Sequence, residues 1–247
     1  MNDPHALARR FPAARALPHA PLGDFPTPVE HLERAGEELG LPDLFIKRDD
    51  RSGKEYGGNK VRKLEFALAH ARAQGHDDIV TIGAIGSHHV LATSIYARQL
   101  GMRPSAQHWP QPVTPHVRDN LRALSTTQPT LRLIGHPVEV PFHVFKRHLN
   151  DWLADRPRTY FLSGGGSSPH GVLGYVNAAL ELAEQIDAGL APEPDVVFVA
   201  AGTNGTYAGL LLGAKMAGLR AKFIAVRVVE KIVTNTANVL RLTHQAA

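Results

Sequence analysis

The chain of 247 residues contains no cysteine, which excludes both disulfide bonds and thiolate chemistry. No apolar run approaches the ~20 residues that a bilayer-spanning helix needs, and the N-terminus has no apolar stretch typical of a secretory signal. The net charge of +4 is scattered over isolated basic pairs without interleaved aromatic residues, which argues against a nucleic-acid surface. We therefore expect a cytoplasmic protein without nucleic-acid or membrane partners and with a mildly positive site for anionic small molecules.

Apolar runs alternate with segments of helical pattern along most of the chain. The run Val196–Ala200 is apolar throughout, which is typical of a strand in a parallel sheet that helices cover on both faces. Repeated strand–helix alternation indicates an α/β fold of the open, doubly wound kind. The predicted strands are 44–49, 79–84, 103–109, 130–134, 159–163, 196–201 and 222–229, and the predicted helices are 59–74, 87–100, 115–126, 142–154, 170–188, 206–218 and 232–244.

The N-terminal region has a different pattern. Residues 1–26 are rich in Pro, Ala and Arg without a sustained period, so we predict an arm on the surface. Thr27 can cap a helix that begins at Pro28, and Gly40 suits the C-terminal end of that helix. We therefore predict a further helix over 28–40.

The most informative segment is the glycine-rich helix start Gly57–Glu65, which reads GGNKVRKLE. A lysine held where a strand gives way to a helix is well placed for covalent amine chemistry. Burial of Lys60 beside Arg62 and Lys63 would lower its pKa and free the nucleophilic amine. On the local sequence alone, a solvated basic helix start is the favoured alternative.

A second glycine-containing turn, Gly83–His89, directly follows a predicted strand. Ser87 is a natural N-cap for the next helix, which is the default interpretation of a serine in this place. In the functional alternative, Ser87 and His88 project into a ligand crevice, and His88 or His89 moves a proton near neutral pH.

Two more glycine-rich turns lie further along the chain. Ser163–Gly171 contains three successive glycines followed by two hydroxyl residues, which specifies little by itself. In Ala201–Gly209, backbone N–H groups and two threonine hydroxyls can converge on an anion at a helix start. This turn matches neither the P-loop nor the dinucleotide-binding pattern, so it predicts a site for a single phosphate.

A reactive lysine and a phosphate-binding turn are together what pyridoxal phosphate requires, since it takes a lysine for its Schiff base and a cup for its phosphate. The chain reads Lys-Arg-Asp-Asp, GGNKVRKLE, Gly-Ala-Ile-x-Ser-x-His and Gly-Thr-Asn-Gly-Thr-Tyr-Ala-Gly in that order. It resembles the D-cysteine desulfhydrase and 1-aminocyclopropane-1-carboxylate deaminase family of fold-type II (tryptophan synthase β-like) enzymes. The resemblance covers roughly residues 20–230, and Gly-Gly-Asn-Lys is its most specific part.

This resemblance implies an α/β fold with two open parallel-sheet lobes and the cofactor between them. Residues 1–61 and 166–247 would form the larger, cofactor-binding lobe, and 62–165 the smaller one. The implied activity is that of a pyridoxal phosphate-dependent lyase, deaminase or hydrolase of amino-acid metabolism. It would act on a small amino acid, release ammonia and a 2-oxo acid, and work as a homodimer.

Site residues follow from the same resemblance, position by position. Lys60 would be the Schiff-base lysine, with Asn59 beside it. Ser87 would be the catalytic, substrate-facing hydroxyl, with His88 and His89 also lining the substrate site. The residues that would hold the cofactor phosphate are Gly202, Thr203, Asn204, Gly205 and Thr206.

The chain departs from the family pattern in two places. Family members read Gln-Ser-Asn-His or Gln-Ser-Asn-Gln in the second turn, with an arginine two residues later, whereas this chain has Gly86, His88 and Leu91 at those positions. The family asparagine contacts the phenolic oxygen of the cofactor, so His88 would be the donor here. Family members also continue for several tens of residues with a tyrosine that faces the cofactor ring nitrogen. No tyrosine follows Tyr207, so we expect a fragment or a C-terminally shortened form.

Two other classes of function stay open. A non-catalytic relative would bind pyridoxal phosphate or an amino acid without turnover, as the altered second turn and the early end would favour. The 14 histidines suggest a metal-dependent hydrolase. However, His88 and His89 point in different directions on a helix, and His143 and His148 are not at the i, i+4 spacing, so no metal site is expected.

Overall fold

A computed structural model describes residues 5–127, 129–155 and 159–247. The strands are β1 Val29–His31, β2 Phe45–Lys47, β3 Asp78–Ala84, β4 Arg103–Trp109, β5 Thr130–Leu133, β6 Tyr160–Leu162, β7 Val196–Ala201 and β8 Lys222–Arg227. The α-helices are α1 Ala6–Arg10, α2 Glu33–Leu39, α3 Lys60–Ala73, α4 His88–Gln99, α5 Pro115–Thr126, α6 Val140–Leu153, α7 Pro169–Asp187, α8 Gly205–Ala217 and α9 Thr236–Ala246.

The longer strands form parallel sheets. Four of them pair in the order β5-β4-β3-β6, and β7 pairs in parallel with β8, while β1 and β2 form a short antiparallel pair. The predicted α/β class with parallel sheets is therefore confirmed, but the expectation that helices cover both faces of β7 is wrong, since Val196 and Phe198 on one face are exposed. In the register of β3 with β6, Thr81 lies opposite Leu162, which brings the turn after β3 next to the turn after β6.

Helix α3 is buried between two hydrophobic cores. Leu64 and Leu68 pack with Ile79 of β3 in one core. On another face of the helix, Phe66 packs with Val172 of α7 in the second core. The N-terminus of α3, which carries Lys60, is consequently fixed from two sides.

The contact between α3 and α7 depends on Gly174, because a Cβ atom there would lie 2.0 Å from the carbonyl oxygen of Arg62 and 2.9 Å from the backbone nitrogen of Lys63. We expect Gly174→Ala to lower the free energy of unfolding by about 1–3 kcal/mol, since the backbone of α3 would have to move. Urea denaturation measures this. A gain of about 1 kcal/mol, the usual effect of replacing a helical glycine by alanine, would contradict the close approach.

The prediction of a helix over 28–40 is wrong in its first half. Residues 29–31 form β1, which pairs antiparallel with β2, and the helix begins only at Glu33. Thr27 does not cap a helix: its N–H donates to Glu181 Oε1 (3.0 Å) and its hydroxyl to Asp49 Oδ1 (3.1 Å). Gly40 does end the helix, in the left-handed conformation at φ 66°.

The prediction of a surface arm over 1–26 is also wrong in part, and its first four residues lie outside the described residues. Ala6 and Leu7 of α1 are buried against α7, and Leu7 N–H donates to the side chain of Asn177 (2.9 Å). A short 3₁₀ helix follows at Pro12–Ala16. Helix α1 is therefore part of the core, whereas no residue of the 3₁₀ helix is buried.

The other predicted elements are confirmed to within two residues, except the last helix, which begins at Thr236 rather than at 232. Asn235 caps that helix by accepting a hydrogen bond from Asn238 N–H (2.9 Å). The division into lobes at 61/62 and 165/166 stays a prediction. No helix in the described parts of the chain is long and apolar enough to cross a bilayer.

Candidate functional site

The first residue of α3 is Lys60, directly after a turn in which Gly58 adopts φ 98°, a conformation that favours glycine. Lys60 Nζ donates to Asn59 Oδ1 (2.7 Å). Asn59 Nδ2 in turn donates to Thr206 Oγ1 at the start of α8 (3.3 Å). One side chain thus joins the amine to the turn predicted to bind phosphate.

Burial lowers the pKa of Lys60 from its ordinary 10.5 to about 8. The sequence predicted that neighbouring cations would contribute to this shift. The structure instead ties Arg62 to Asp49 and Glu181 in a buried network, so that its charge is offset. Loss of hydration is therefore the cause of the lowered pKa, and an appreciable share of Lys60 is uncharged near neutral pH.

This pKa predicts the pH dependence of Lys60 reactivity. In the cofactor-free protein, we expect acylation of Lys60 by a small acylating reagent to rise with pH with a midpoint at about pH 8. Acylation of free N-acetyl-lysine amide should have its midpoint at about pH 10.4. Peptide mapping by mass spectrometry after short exposures at each pH measures both. A Lys60 curve that follows the free amine would show that the amine is hydrated in solution.

The phosphate turn lies where β7 ends and α8 begins. Asn204 occupies the left-handed conformation (φ 67°) and leads into the helix start, while its Nδ2 donates to Val233 O (3.0 Å). Its buried Oδ1 has no partner among the described residues. The N-terminal N–H groups of α8 after Gly205 and the hydroxyls of Thr203 and Thr206 are the groups available to an anion at this place.

The third glycine-rich turn joins this site, which its sequence alone did not specify. Ser167 Oγ lies 2.7 Å from Thr203 Oγ1 and accepts a hydrogen bond from Gly205 N–H (3.1 Å). A Cβ atom at Gly165 would lie 2.3 Å from Thr203 Oγ1, so only glycine permits this approach. The turns after β6 and β7 therefore form one polar cup.

Sequence reasoning missed the role that Lys63 can play in this cup. Lys63 is buried, and its Nζ donates to Gly165 O (3.2 Å). Burial and the nearby charge of Lys60 lower its pKa well below the ordinary value. Within the described residues Lys63 forms no ion pair with a carboxylate. The i, i+3 spacing of Lys60 and Lys63, which places both on one helix face, was the available signal.

In the second turn, Ser87 caps α4 by accepting a hydrogen bond from Val90 N–H (3.4 Å). His89 is buried, with Nε2 2.8 Å from Thr81 Oγ1. Burial, together with the charges of Lys60 and Lys63, lowers the pKa of His89 to about 3. His89 is consequently neutral at physiological pH, and its environment does not favour the proton transfer considered from the sequence.

His88, unlike its neighbour, is exposed at the start of α4. It contacts two groups outside the second turn, the hydroxyl of Tyr56 and the imidazole of His116. The described residues contain no group of three or more His, Cys, Asp or Glu side chains that could hold a metal ion.

The site has the groups that pyridoxal phosphate requires. A buried lysine amine without a carboxylate partner among the described residues, a helix N-terminus and clustered hydroxyls fit a phosphate, whose charge favours the protonated form of the amine. The buried amine of Lys60, connected to them through Asn59, fits the aldehyde end of the cofactor. Fold and geometry together are those of a fold-type II pyridoxal phosphate enzyme.

Comparison with known proteins agrees with this class. The chain belongs to the pyridoxal-phosphate dependent enzyme family, whose sequence model matches residues 21–242. The resemblance noted in the sequence, the fold class and the cofactor that it implied are thereby confirmed.

Two curated relatives and one solved structure are informative. A putative 1-aminocyclopropane-1-carboxylate deaminase of Pyrococcus abyssi is 35% identical over 210 residues, which are 84% of this chain and 60% of the relative. D-cysteine desulfhydrase of Klebsiella pneumoniae is 35% identical over 237 residues, or 94% of this chain and 70% of the relative. The crystal structure of an ACC deaminase homologue superposes with a TM-score of 0.83 at 29% identity, covering 99% of this chain and 72% of that one.

Proposed function

We propose that this chain is a pyridoxal phosphate-dependent lyase or deaminase that acts on a small amino acid and releases ammonia and a 2-oxo acid. The hydrogen-bonded connection from Lys60 through Asn59 to Thr206 is the observation that carries the proposal, because it joins a reactive amine to a phosphate cup. The names of the relatives favour substrates like D-cysteine or aminocyclopropane carboxylate. The chain spans only 60% of the length of the Pyrococcus abyssi relative, so the activity and the substrate are proposals for this chain.

Each part of the site has a separate task. Lys60 Nζ anchors the cofactor and, once free, moves protons beside it. The turn from Gly202 to Thr206 binds the phosphate through N–H and hydroxyl groups, and Lys63 offsets its charge. When bound, the cofactor supplies an electron sink for negative charge that develops next to the substrate amine.

The second turn provides the substrate side of the site. Ser87 Oγ faces the substrate and can donate its O–H to it, while the same oxygen accepts the capping hydrogen bond from Val90 N–H. His88 takes the place of the family asparagine in lining the substrate site, with both of its ring nitrogens bonded to Tyr56 and His116. His89, neutral and buried, supports this wall by its contact with Thr81.

Replacement of Lys63 should weaken cofactor binding without lowering the stability of the protein. We expect Lys63→Met to weaken pyridoxal phosphate binding by roughly 10- to 100-fold, the equivalent of one hydrogen bond to a charged group (about 1.5–3 kcal/mol). The cofactor-free protein should become no less stable, since a buried amine without a carboxylate partner among the described residues is replaced by an apolar chain of similar length. Fluorescence titration and urea denaturation measure the two quantities. Unchanged affinity together with lower stability would show a structural role instead.

We further propose that the deaminase reaction is hydrolytic, in the sense that water supplies the carbonyl oxygen of the product.

We also propose that the protein is a cytoplasmic homodimer. Exposed apolar side chains on α6, including Phe142, Phe145 and Trp152, support self-association because isolated monomers rarely leave so much apolar area exposed. Light scattering after size-exclusion chromatography tests the dimer.

A single preparation tests the function. The purified protein, incubated with pyridoxal phosphate and desalted, should be yellow and should lose its colour on reduction with borohydride. A panel of D- and L-amino acids, including cysteine and aminocyclopropane carboxylate, is then assayed for ammonia, sulfide and 2-oxo acid. Colour without product would support the non-catalytic alternative, and a protein that retains no cofactor would refute both hypotheses.

A further inference from the structure

Three side chains from separate parts of the chain form a hydrogen-bonded row beside the candidate site. The hydroxyl of Tyr56 bonds to Nδ1 of His88. Nε2 of His88 lies 2.6 Å from Nε2 of His116. His116 is exposed on the first turn of α5, so one end of the row reaches solvent.

The fold holds these groups in place. Asn120 of α5 donates its Nδ2–H to Gly86 O (2.8 Å), which fixes α5 against the turn that precedes His88. Thr114 caps α5 by accepting a hydrogen bond from Val117 N–H (3.3 Å). The hydroxyl of buried Tyr96 donates to Tyr56 O (2.5 Å). Each member of the row is thus anchored by its own contacts with the rest of the protein.

Hydrogen-bond chemistry restricts the row to one proton per contact. Two imidazole nitrogens at 2.6 Å require that one donates and the other accepts, so His88 and His116 share a proton between their Nε2 atoms. If Tyr56 donates to Nδ1 of His88, then His88 carries its proton on Nε2 and donates to His116. His116 then carries its own proton on Nδ1, at the solvent side.

His88, the middle member of the row, is electrostatically coupled to Lys60. Burial, His116 and Lys60 each lower the pKa of His88, in that order of size. Tyr56 itself directly precedes the turn that presents Lys60. Lys60, Tyr56 and His116 are therefore the titratable groups that face His88.

We propose that His116, His88 and Tyr56 form a proton relay between solvent and the Lys60 site, a role that rests on the proposed function for its substrate. No bond other than those to hydrogen changes along the row. His116 releases its Nδ1 proton to water and takes the Nε2 proton of His88. At the same time, Nδ1 of His88 takes the hydroxyl proton of Tyr56, and the Tyr56 oxygen takes a proton from the reacting groups at the Lys60 site. Burial raises the pKa of Tyr56, so these transfers are concerted and leave no free phenolate. The reverse sequence delivers a proton.

The shared proton can be tested without turnover. Long-range ¹H–¹⁵N spectra of the cofactor-free protein report the protonation of each imidazole across a pH titration. In His116→Gln, the pKa of His88 should rise because a neighbouring positive charge is lost. An identical His88 titration in the parent and His116→Gln would overturn the proposal, whether or not the protein is an enzyme.

Kinetics of the cofactor-loaded protein test the relay itself. We expect His116→Gly and Tyr56→Phe to lower kcat by about 10²-fold with little change in KM, at the lower end of what positioned proton transfer contributes. Added imidazole should restore turnover of His116→Gly, which would not happen if His116 had only a structural role. His244 is an exposed histidine on α9, so His244→Gln serves as the matched control and should behave like the parent.

The two failures are distinguishable. Full activity of His116→Gly, or a loss that imidazole does not restore, overturns the relay while the proposed function stands. Absence of turnover in the parent overturns the proposed function, and the imidazole titration then decides alone whether His88 and His116 share a proton.

Discussion

Replacement of Lys60 by alanine should abolish covalent attachment of pyridoxal phosphate and lower turnover by about 10³-fold, within the range expected when a group that moves protons at the reacting centre is lost. The physical reason is that Lys60 combines burial, which lowers its pKa to about 8, with the contact to Asn59 that leads to the phosphate turn. The global fold should persist, because Lys60 forms no ion pair with a carboxylate among the described residues. Borohydride reduction in the presence of cofactor, followed by intact-mass measurement, detects the attachment.

Two other lysines sharpen this experiment. Lys54 lies in the same region with its side chain 83% exposed, so Lys54→Ala should retain the added mass. Lys63 is buried one helical turn beyond Lys60 and is the alternative covalent anchor. If the added mass persists in Lys60→Ala and disappears in Lys63→Met, then Lys63 and not Lys60 is the residue to which the cofactor is attached.

Much of the architecture could be predicted because its signals are local. The apolar run of β7 and the cap Ser87 each depend on neighbouring residues, and the structure places these elements where the pattern indicated. Parallel strands bring their carboxyl ends to one edge of a sheet, which explains why the turns after β3 and β6 lie side by side. The contact between Asn59 and Thr206 has another origin, because β2 before Asn59 pairs antiparallel with β1 and β7 before Thr206 belongs to a different sheet.

The errors arose where distant residues override local preference. Thr27 has the sequence context of a helix cap, but its backbone and hydroxyl bond to Glu181 and Asp49, and the following residues pair with β2. Nothing near Thr27 in the sequence indicates a partner in α7. Tertiary hydrogen bonds of this kind replace the local cap because the buried carboxylates require donors.

Charges in the site were equally hard to assign from spacing alone. Arg62 and Lys63 are adjacent in sequence, yet one is neutralised by carboxylates and the other faces the phosphate cup. His88 was selected for its place in the second turn, but its partner His116 comes from α5 and could be found only from the packing of that helix. Helix periodicity gives the direction of a side chain, whereas its electrostatic environment depends on the whole fold.

Loss of Arg62 should be the most destabilising change of a single charged residue in the described network. Its side chain is 1% exposed and forms ion pairs with Asp49 (2.8 Å) and Glu181 (2.9 Å). Tyr175 donates to the same Asp49 (2.7 Å), and Lys47 pairs with Glu181. We expect Arg62→Met to lower the free energy of unfolding at neutral pH by about 3–5 kcal/mol, because buried carboxylates lose their main counter-charge. Urea denaturation measures the loss.

The control and the pH dependence separate this effect from a general loss of charge. Arg103→Met removes an exposed ion pair with Asp78 and should lower the free energy of unfolding by less than about 1 kcal/mol.

Burial alone would raise the pKa values of Asp49 and Glu181, but the Arg62 guanidinium outweighs it and both pKa values are lowered. The stability that these carboxylates contribute is therefore present above their unfolded pKa values and is lost as the pH falls through the folded ones. In Arg62→Met the carboxyl groups take up protons at a higher pH than they do in the parent. The difference in the free energy of unfolding between parent and variant should therefore become smaller as the pH falls. A difference that stays constant from neutral to acidic pH would show that Arg62 acts through packing and not through its charge.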